Sequence, residues 1–296
     1  MGNDRATGRA GASPGSRARA GTLGKVSSLV PVRPSTDPLP AVNPTVPNVA
    51  RMYDFYLGGK DNYAVDRERA EQMIAAVPLV RETAQANRAF LGRAVRFLAG
   101  EAGISQFLDI GAGLPTRDNV HQVAERVNPA SRVMYVDNDS MVLVHARALL
   151  ATNARTGVIQ GDVRNPAHIV DHPEVRGLLD LSRPVAVMLV SLMHFIPDED
   201  DPYRLVAALM AAVPSGSCLV LSHVERQPKY EDAVAASYAR ASAPVVARPV
   251  EEIGRFFDGM DLVYPGLVNV RQWQPGDEVS PADPDVPFFG AIGIKR

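Results

Sequence analysis

Short apolar runs alternate with helix-like stretches from residue 105 onward. The segments VAVMLVSL and CLVLS are apolar along their whole length, which is typical of strands buried on both faces. Between the runs, apolar residues return at the spacing of one helix face. The predicted strands are 106–110, 132–136, 157–159, 185–192 and 218–222, and the predicted helices between them are 119–127, 140–150 and 202–213. This alternation predicts an α/β fold with a doubly wound parallel sheet.

The chain before residue 105 shows a helical pattern only. We expect a first helix to begin near residue 48 and to be broken by Gly58 and Gly59, and a second helix to follow from about residue 65. A third is predicted over 81–99, where apolar residues recur at roughly helical spacing. Beyond the parallel strands, the predictions are helices over 230–241 and 250–257 and weaker strands over 262–264, 268–271 and 288–294.

Charge is distributed unevenly along the chain. Residues 1–33 carry six basic residues and one acidic residue, a charge of +5, whereas the whole chain carries −2, which leaves −7 for the rest. Bulky apolar residues are almost absent before Leu23, so burial cannot offset the entropy of ordering. We expect a disordered basic tail over 1–40, a helical cap over 41–103 and a ligand-binding domain over 104–296. A transit peptide or an anion-binding arm is the alternative for the tail.

Composition narrows the class of protein. The single cysteine, Cys218, excludes an intrachain disulfide framework and a four-cysteine metal site. No apolar run is long enough for a membrane span, and the first residues lack the apolar core of a secretory signal. The chain has no overall basic excess, so we expect no nucleic-acid partner. These features predict a cytoplasmic protein, and 27 arginines against four lysines are typical of a GC-rich bacterial genome.

Acidic residues and glycines follow the first three predicted strands. In parallel sheets, ligands bind at the carboxyl ends of the strands. Gly111 and Gly113 in FLDIGAGLPT allow the backbone to approach a ligand, and Asp109 precedes them. Asp137 lies 26 residues after Gly111, where a carboxylate can bind the ribose hydroxyls of an adenosine ligand. Asp162, at the end of the third strand, can accept the exocyclic amine of adenine.

Each of these residues also has a structural alternative. Asn138 or Asp139 can cap the helix that begins near residue 140, and Asp162 can serve a turn. A nicotinamide dinucleotide would need a small residue at position 116, which is Thr116, and the chain has no GxxxxGK[ST] motif for a nucleoside triphosphate. Acidic residues after three successive strands favour a ligand site over three unrelated turns or caps.

Together, DIGAGLP, YVDND, GDVR and VAVMLVSLMHFIPD resemble class I S-adenosylmethionine-dependent methyltransferases. More narrowly, PNVARMYDFYLGGKDNYAVDRERAE followed by FLDIGAGLPTRDNVHQVA is similar to the actinobacterial S-adenosyl methyltransferase family, over about residues 44–294. The resemblance implies a Rossmann-like sheet of seven strands with the last one antiparallel, and S-adenosylmethionine as the cofactor. Pro115 stands where the broad superfamily often has a third glycine.

The resemblance also implies residue roles. The loop of Asp109, Gly111 and Gly113 would surround the methionine part of the cofactor, and Asp137 would hold the ribose. The adenine would contact Asp162 and Val163. The segment 51–63 would be a lid in which Gly58 and Gly59 act as a hinge and the cofactor contacts are Tyr53, Lys60 and Asp61. A helix that merely covers a sheet edge is the alternative for this segment.

His194 in SLMHFIPD is the best candidate for a base that removes a proton from the acceptor. A histidine bonded to a loop carbonyl is the equal alternative, and for His223 we favour such a structural role. The acidic run 198–201 fits a helix N-terminus better than a metal site. We expect a small-molecule acceptor, with secondary metabolism as the first guess. The alternative functions are a non-catalytic regulator that binds the cofactor and a nicotinamide-dependent oxidoreductase.

Overall fold

A computed structural model of the chain describes residue 1 and residues 43–115, 118–150, 154–239, 241–274 and 285–296, with side chains at 147–150 excepted. The chain divides into Met1–Pro31 and Val32–Arg296, and every element below belongs to the second unit. Apart from residue 1, the predicted tail over 1–40 lies outside the described residues, as does Thr116.

The centre of the second unit is a sheet of eight strands. Five parallel strands are followed in the sheet order β3-β2-β1-β4-β5-β8-β6 by an antiparallel β8, and the two-residue β7 pairs with β8 outside this path. The strands are β1 (Gln106–Ile110), β2 (Arg132–Asp137), β3 (Thr156–Gln160), β4 (Ala186–Val190), β5 (Cys218–Val224), β6 (Met260–Leu262), β7 (Val268–Asn269) and β8 (Phe288–Lys295). The predicted doubly wound sheet with an antiparallel last strand is confirmed. Strand β7 lies within the strand predicted over 268–271 and makes eight strands where the resemblance implied seven.

Ten α-helices surround or precede these strands in the described part of the chain. They are α1 (Val49–Tyr56), α2 (Ala64–Ala76), α3 (Val80–Gly100), α4 (Val120–Val127), α5 (Ser140–Leu150), α6 (Pro166–Asp171), α7 (Pro173–Leu178), α8 (Pro202–Ala211), α9 (Glu231–Tyr238) and α10 (Val250–Gly254). The sequence did not predict α6 and α7, since six residues are too few to show helical periodicity. Every helix in the described residues is too short or too polar to cross a membrane.

The sheet is covered on both faces, as the apolar runs predicted. Along β4, Ala186 and Met188 belong to one buried apolar cluster, and Val187 and Leu189 belong to a second. Alternate side chains of a strand point to opposite faces, so each face of the sheet has its own core. The strand ends at Val190 because Ser191 has a left-handed backbone with φ of 59°.

The helices of the segment predicted as a cap pack in two different places. Helix α3 contributes Phe90 and Leu98 to one of the sheet cores. Helices α1 and α2 instead share a third apolar cluster, in which Met52 and Met73 are buried together with Tyr238 of α9. The first two helices thus form a separate layer next to α9.

Candidate active site

A polar cavity opens at the carboxyl ends of β1, β2 and β3. Its walls include six of the residues predicted from the strand ends and Tyr53 of α1. These residues are Tyr53, Asp109, Gly111, Gly113, Asp137, Asp162 and Val163. The structure therefore brings the predicted residues of three consecutive strands together around one space, which we call the polar cavity.

Asp137 is held rigidly at the end of β2. Its Oδ2 accepts the N–H of Gly113 at 2.9 Å, and its Oδ1 accepts the N–H of Asp139 at 2.9 Å. Each carboxylate oxygen keeps a further lone pair, so the group suits a ligand that presents two neighbouring hydroxyls. Asp139 caps α5 by accepting the N–H of Met141 at 2.7 Å, which confirms that the two aspartates have different structural roles.

The loop after β1 depends on glycine. Gly111 has φ of 74°, and a Cβ there would lie 2.7 Å from Cδ1 of Leu192. A larger residue would meet both backbone strain and a clash with the loop after β4. Gly111 therefore lets the β1 and β4 loops close against each other at the edge of the polar cavity.

Burial dominates the electrostatics of the cavity. It raises the pKa of Asp109 to about 7 and the pKa of Asp137 to about 6, since the charged form loses hydration. Among the described lining residues, five are aspartates and two are arginines. The excess of carboxylates repels a pyrophosphate and attracts a cationic ligand. The donor set thus fits a sulfonium and an ammonium group next to a ribose.

Asp162 lines the cavity but is already paired. Its Oδ2 lies 3.1 Å from Nη1 of Arg164, and its Oδ1 accepts the N–H of Arg164 at 2.9 Å. Arg164 also lies 2.7 Å from the carboxylate of Asp200. The sequence left two alternatives for Asp162, a turn residue and a residue that lines a ligand site. The structure shows that Asp162 both stabilises the turn and lines the cavity. Sequence reasoning missed Arg164, whose role depends on the distant Asp200.

The structure does not place Lys60 and Asp61 at the cavity. Lys60 is exposed, and neither residue is among the described lining residues. Asp61 faces His145, with 3.5 Å between Oδ1 and Nε2. Asp54, seven residues before Asp61 and within α1, lines the cavity instead and accepts hydrogen bonds from the Asp61 N–H and the Asn62 side chain. The glycine break turns the chain away after Asp54.

A second cavity of about 310 Å³ adjoins the polar cavity. We call it the aromatic cavity, because its described walls include six aromatic residues. They are Tyr53, Tyr56, Phe195, Tyr230, Tyr238 and Phe288. The two cavities share five residues around the carboxyl end of β4, namely Val49, Tyr53, Asn87, Ser191 and Phe195.

His194 lines the aromatic cavity and is 4% exposed. Its Nδ1 is buried and has no hydrogen-bond partner among the described residues. Burial, with smaller effects of His223 and Arg248, holds the pKa of His194 well below its usual value, so the ring is neutral near pH 7. The alternative of a ring bonded to a loop carbonyl is therefore not what the structure shows.

His223 has the structural role that the sequence favoured. Its Nδ1 lies 2.8 Å from the carbonyl of Val224 and therefore carries the proton. Its Nε2 consequently accepts from Nη1 of Arg248 at 3.0 Å. Both ring nitrogens are occupied, and burial lowers the pKa of His223 to about 3.

Arg248 is a buried residue that sequence reasoning missed. It donates to the carbonyls of Met193 and Ile196 at 3.2 and 3.0 Å and pairs with Asp198. These contacts hold the short turn that contains His194, because Met193 and Ile196 stand on either side of that residue in the chain. The partners lie about 50 residues earlier in the chain, so no local pattern marks this arginine.

The acidic run 198–201 is used for pairing and capping. Asp198 pairs with Arg248, Asp200 pairs with Arg164, and Asp201 accepts the N–H of Arg204 at the start of α8. The described residues contain no cluster of histidine, cysteine and acidic side chains that would hold a metal ion.

Comparisons with known proteins agree on one family. The family model described as S-adenosyl methyltransferase matches residues 35–296. A candidate methyltransferase from Thermobifida fusca YX has 43% sequence identity and a TM-score of 0.81, over 85% of this chain and 96% of that chain. A DUF574 family protein from Streptomyces avermitilis MA-4680 has 42% identity and a TM-score of 0.82, over 85% and 98%.

No curated protein gives a significant match. The family model nevertheless covers nearly all of the chain after residue 34, and the two solved structures share its fold over almost their whole length. The chain therefore belongs to the S-adenosyl methyltransferase family and is an S-adenosylmethionine-dependent methyltransferase.

Proposed function

We propose that this methyltransferase binds S-adenosylmethionine in the polar cavity and methylates a small molecule held in the aromatic cavity. The observation that carries this proposal is the shared boundary at the end of β4. Because five residues line both cavities, a ligand in one lies next to a ligand in the other. Methyl transfer needs such a direct approach, since the acceptor attacks the methyl carbon in line with the bond that breaks.

Residues at the ends of three strands would each bind a different part of the cofactor. The Asp137 carboxylate would accept hydrogen bonds from the ribose hydroxyls. Its two hydrogen bonds from backbone N–H groups fix the direction of the remaining lone pairs. Asp109 and the loop of Gly111 and Gly113 surround the methionine part. Asp162 and Val163 contact the adenine, with Arg164 giving up part of its contact with Asp162.

S-adenosylmethionine supplies an electrophilic methyl group on a sulfonium. The residues of the chain have to orient the acceptor, exclude water and receive a proton. Tyr53 and Asn87 stand between the cavities, where Asn87 Nδ2 donates to the Tyr53 hydroxyl at 2.9 Å. His194 lines the aromatic cavity and is neutral, and its Nδ1 has no hydrogen-bond partner among the described residues, so it is the residue that we assign as proton acceptor. Helix α1 lines both cavities through Val49 and Tyr53, and helix α2 adds Met73 to the wall of the aromatic cavity.

Calorimetric titration of wild type and Asp137→Asn with S-adenosylmethionine and S-adenosylhomocysteine tests the cofactor site. The variant keeps the size of the side chain but loses one acceptor oxygen and the charge. We expect its affinity for both ligands to fall at least tenfold, which is about 1.4 kcal/mol. Asp171→Asn, an exposed aspartate on α6, is the matched control and keeps the wild-type affinity. Equal affinity in wild type and Asp137→Asn would contradict the assignment.

A further inference from the structure

The aromatic cavity is lined by an unusually large share of the aromatic residues of the chain. The chain has 18 aromatic residues, and six of them line this one cavity. Tyr56, Tyr238 and Phe288 are each less than one tenth exposed, so their rings are fixed by packing. The hydroxyls of Tyr56 and Tyr238 lie 3.4 Å apart, so one donates to the other. The rings therefore present apolar faces and edges to whatever enters.

Several polar groups of the aromatic cavity lie where it meets the polar cavity, whereas Glu225, Arg226 and Gln227 line the aromatic cavity alone. Tyr53, Asn87 and Ser191 line both spaces, and His194 follows Ser191 by three residues. The described contacts use the Asn87 Oδ1 for the Ser222 hydroxyl and one Nδ2 proton for Tyr53. A second Nδ2 proton and the neutral ring of His194 remain for a ligand. With the Ser191 hydroxyl, this end offers donors from Asn87 and Ser191 and acceptors from Ser191 and His194, which suits a ligand that carries a hydroxyl group.

The size of the cavity limits the ligand. Apolar cavities of about 150 Å³ in other proteins take up benzene. A volume of about 310 Å³ therefore holds a compound with two fused or linked rings. The charged residues of the wall, Glu225, Arg226 and Glu231, are exposed or half-buried, so no fully buried charge in the described wall is available to bind an ionic ring system.

We infer that the acceptor is a neutral, planar aromatic compound of about two rings that carries a hydroxyl group, and that this hydroxyl oxygen is methylated. This inference rests on the proposed function of the two cavities. The acceptor O–H bond breaks and its proton passes to His194, while a bond forms between oxygen and the methyl carbon. The bond between sulfur and that carbon breaks, and its electron pair stays on sulfur. The positive charge thus moves from the sulfonium to the imidazole ring.

A weakly basic His194 is adequate for this step. The hydroxyl oxygen becomes a strongly acidic oxonium as the methyl group arrives, so a base with a low pKa still accepts the proton. The neutral ring is also present over the whole physiological pH range and does not need to lose a proton before the acceptor binds. A neutral hydroxyl keeps lone pairs on oxygen for the methyl group while it donates to His194, whereas an ammonium group has none. A neutral aromatic amine is the competing acceptor, and the test includes it.

The test uses the full chain saturated with S-adenosylhomocysteine and three probes of the same ring skeleton. The probes are 2-naphthol, 2-aminonaphthalene and the saturated alcohol decahydro-2-naphthol. We expect calorimetry to show 2-naphthol binding at least tenfold tighter than decahydro-2-naphthol. With labelled S-adenosylmethionine, we expect the methyl ether of 2-naphthol as the main product. Equal binding of the saturated alcohol, or preferential methylation of the amine, would overturn the inference.

Two variants separate ring recognition from proton transfer. Tyr238→Leu removes one aromatic wall, and we expect it to weaken 2-naphthol binding at least fivefold without changing the affinity for S-adenosylhomocysteine. His194→Gln should lower methyl transfer to 2-naphthol about 100-fold while 2-naphthol binding changes less than tenfold. His168→Gln, an exposed histidine outside both cavities, is the control with wild-type transfer. Wild-type transfer in His194→Gln would overturn the role of His194.

Failure of the inference differs from failure of the proposed function. If S-adenosylhomocysteine binds but 2-naphthol does not, the cofactor site stands and the aromatic hydroxyl acceptor is wrong. If S-adenosylhomocysteine itself does not bind, the proposed use of the polar cavity is wrong and the inference falls with it. Melting curves of each variant with and without S-adenosylhomocysteine show whether a loss reflects unfolding.

Discussion

Asp109 and Asp137 are buried carboxylates that lower the stability of the fold in order to shape the polar cavity. Asp109 is 5% exposed and Asp137 is 7% exposed, yet both lie at strand ends where apolar residues would pack without loss of hydration. Asp137 recovers part of this loss through two backbone hydrogen bonds. Retaining such groups is typical of a binding site, where the charge is used by a ligand and not by the fold.

The substitution Asp109→Asn should therefore stabilise the protein and weaken cofactor binding. The folded-state pKa of about 7 lies above the value of 3.8 in the unfolded chain, so the carboxylate is least favourable above pH 7. We expect the free energy of unfolding to rise by about 3 kcal/mol at pH 8 and to change little at pH 4, where the carboxyl group is protonated in the fold. Urea unfolding at both pH values measures this. A variant that is less stable than wild type at pH 8 would show that Asp109 is held by structural contacts.

Sequence patterns predicted the residues of the polar cavity that lie at strand ends but not the residues paired with them. Gly111, Asp137 and Asp162 follow strands whose ends converge in any parallel sheet, so their proximity follows from topology. Arg164 and Arg248 act through partners that lie 36 and 50 residues away, at positions set by packing. A basic residue with a distant partner has no periodicity or spacing that marks it.

At the scale of elements, the glycine pair after α1, Gly58 and Gly59, allows a close contact that holds the loop between α1 and α2. Gly59 packs its backbone against the carboxylate of Asp54, and a Cβ at this position would lie 1.9 Å from Asp54 Oδ1. Asp54 in turn accepts the N–H of Asp61 and the side chain of Asn62. The glycine thus allows one aspartate to fix the whole loop between α1 and α2.

We expect Gly59→Ala to destabilise the protein more than Gly58→Ala. The added Cβ at Gly59 forces the Asp54 carboxylate out of its hydrogen bonds and leaves it buried without partners or moves it into solvent. We expect the free energy of unfolding to fall by about 2–3 kcal/mol. At Gly58 a Cβ meets nothing within 4 Å, and only the left-handed backbone with φ of 78° opposes it, for a loss of about 1 kcal/mol. Urea unfolding of the two variants gives the difference. Equal losses would mean that the contact with Asp54 contributes nothing.

Elements of this fold differ in how clearly the sequence predicts them. The strands β1 to β5 follow from short apolar runs, and α5 was predicted with its observed bounds. The helices α6 and α7 have six residues each and begin with proline, so they show neither a full apolar stripe nor a length typical of helices. Strand β4 ends two residues before its apolar run does, because Ser191 turns into the left-handed region.

At the scale of the whole molecule, the aromatic cavity is a product of long-range packing. Tyr56 of α1 meets Tyr238 of α9 across 182 residues of chain, and Phe288 comes from the last strand. No local pattern encodes the meeting of three such distant segments. The sequence therefore predicted the residues at successive strand ends that line the polar cavity. Of the aromatic cavity it singled out Tyr53 and His194 but not the rings that meet there.

Buried acids and buried histidines have opposite effects on how the free energy of unfolding depends on pH. Asp109 and Asp137 have raised pKa values and stabilise the fold as pH falls toward 4, because the folded state binds the protons first. His194 and His223 have lowered pKa values and destabilise it below pH 6.5, because the unfolded chain binds those protons first. Two groups of each kind make their combined effect small between pH 4.5 and about 6.

Removing the two acids should expose the effect of the histidines. In the double variant Asp109→Asn/Asp137→Asn, the unfolded chain takes up about two more protons than the fold between pH 6 and 4.5. We expect its free energy of unfolding to fall by about 2–3 kcal/mol per pH unit more steeply than that of wild type. Urea unfolding at pH 6, 5.5, 5 and 4.5 gives both slopes, and surface groups cancel in their difference. Adding His223→Gln to the double variant should remove about half of the extra slope, since one titrating ring remains. Parallel profiles for wild type and the double variant would show that the buried acids and histidines do not oppose each other in this fold.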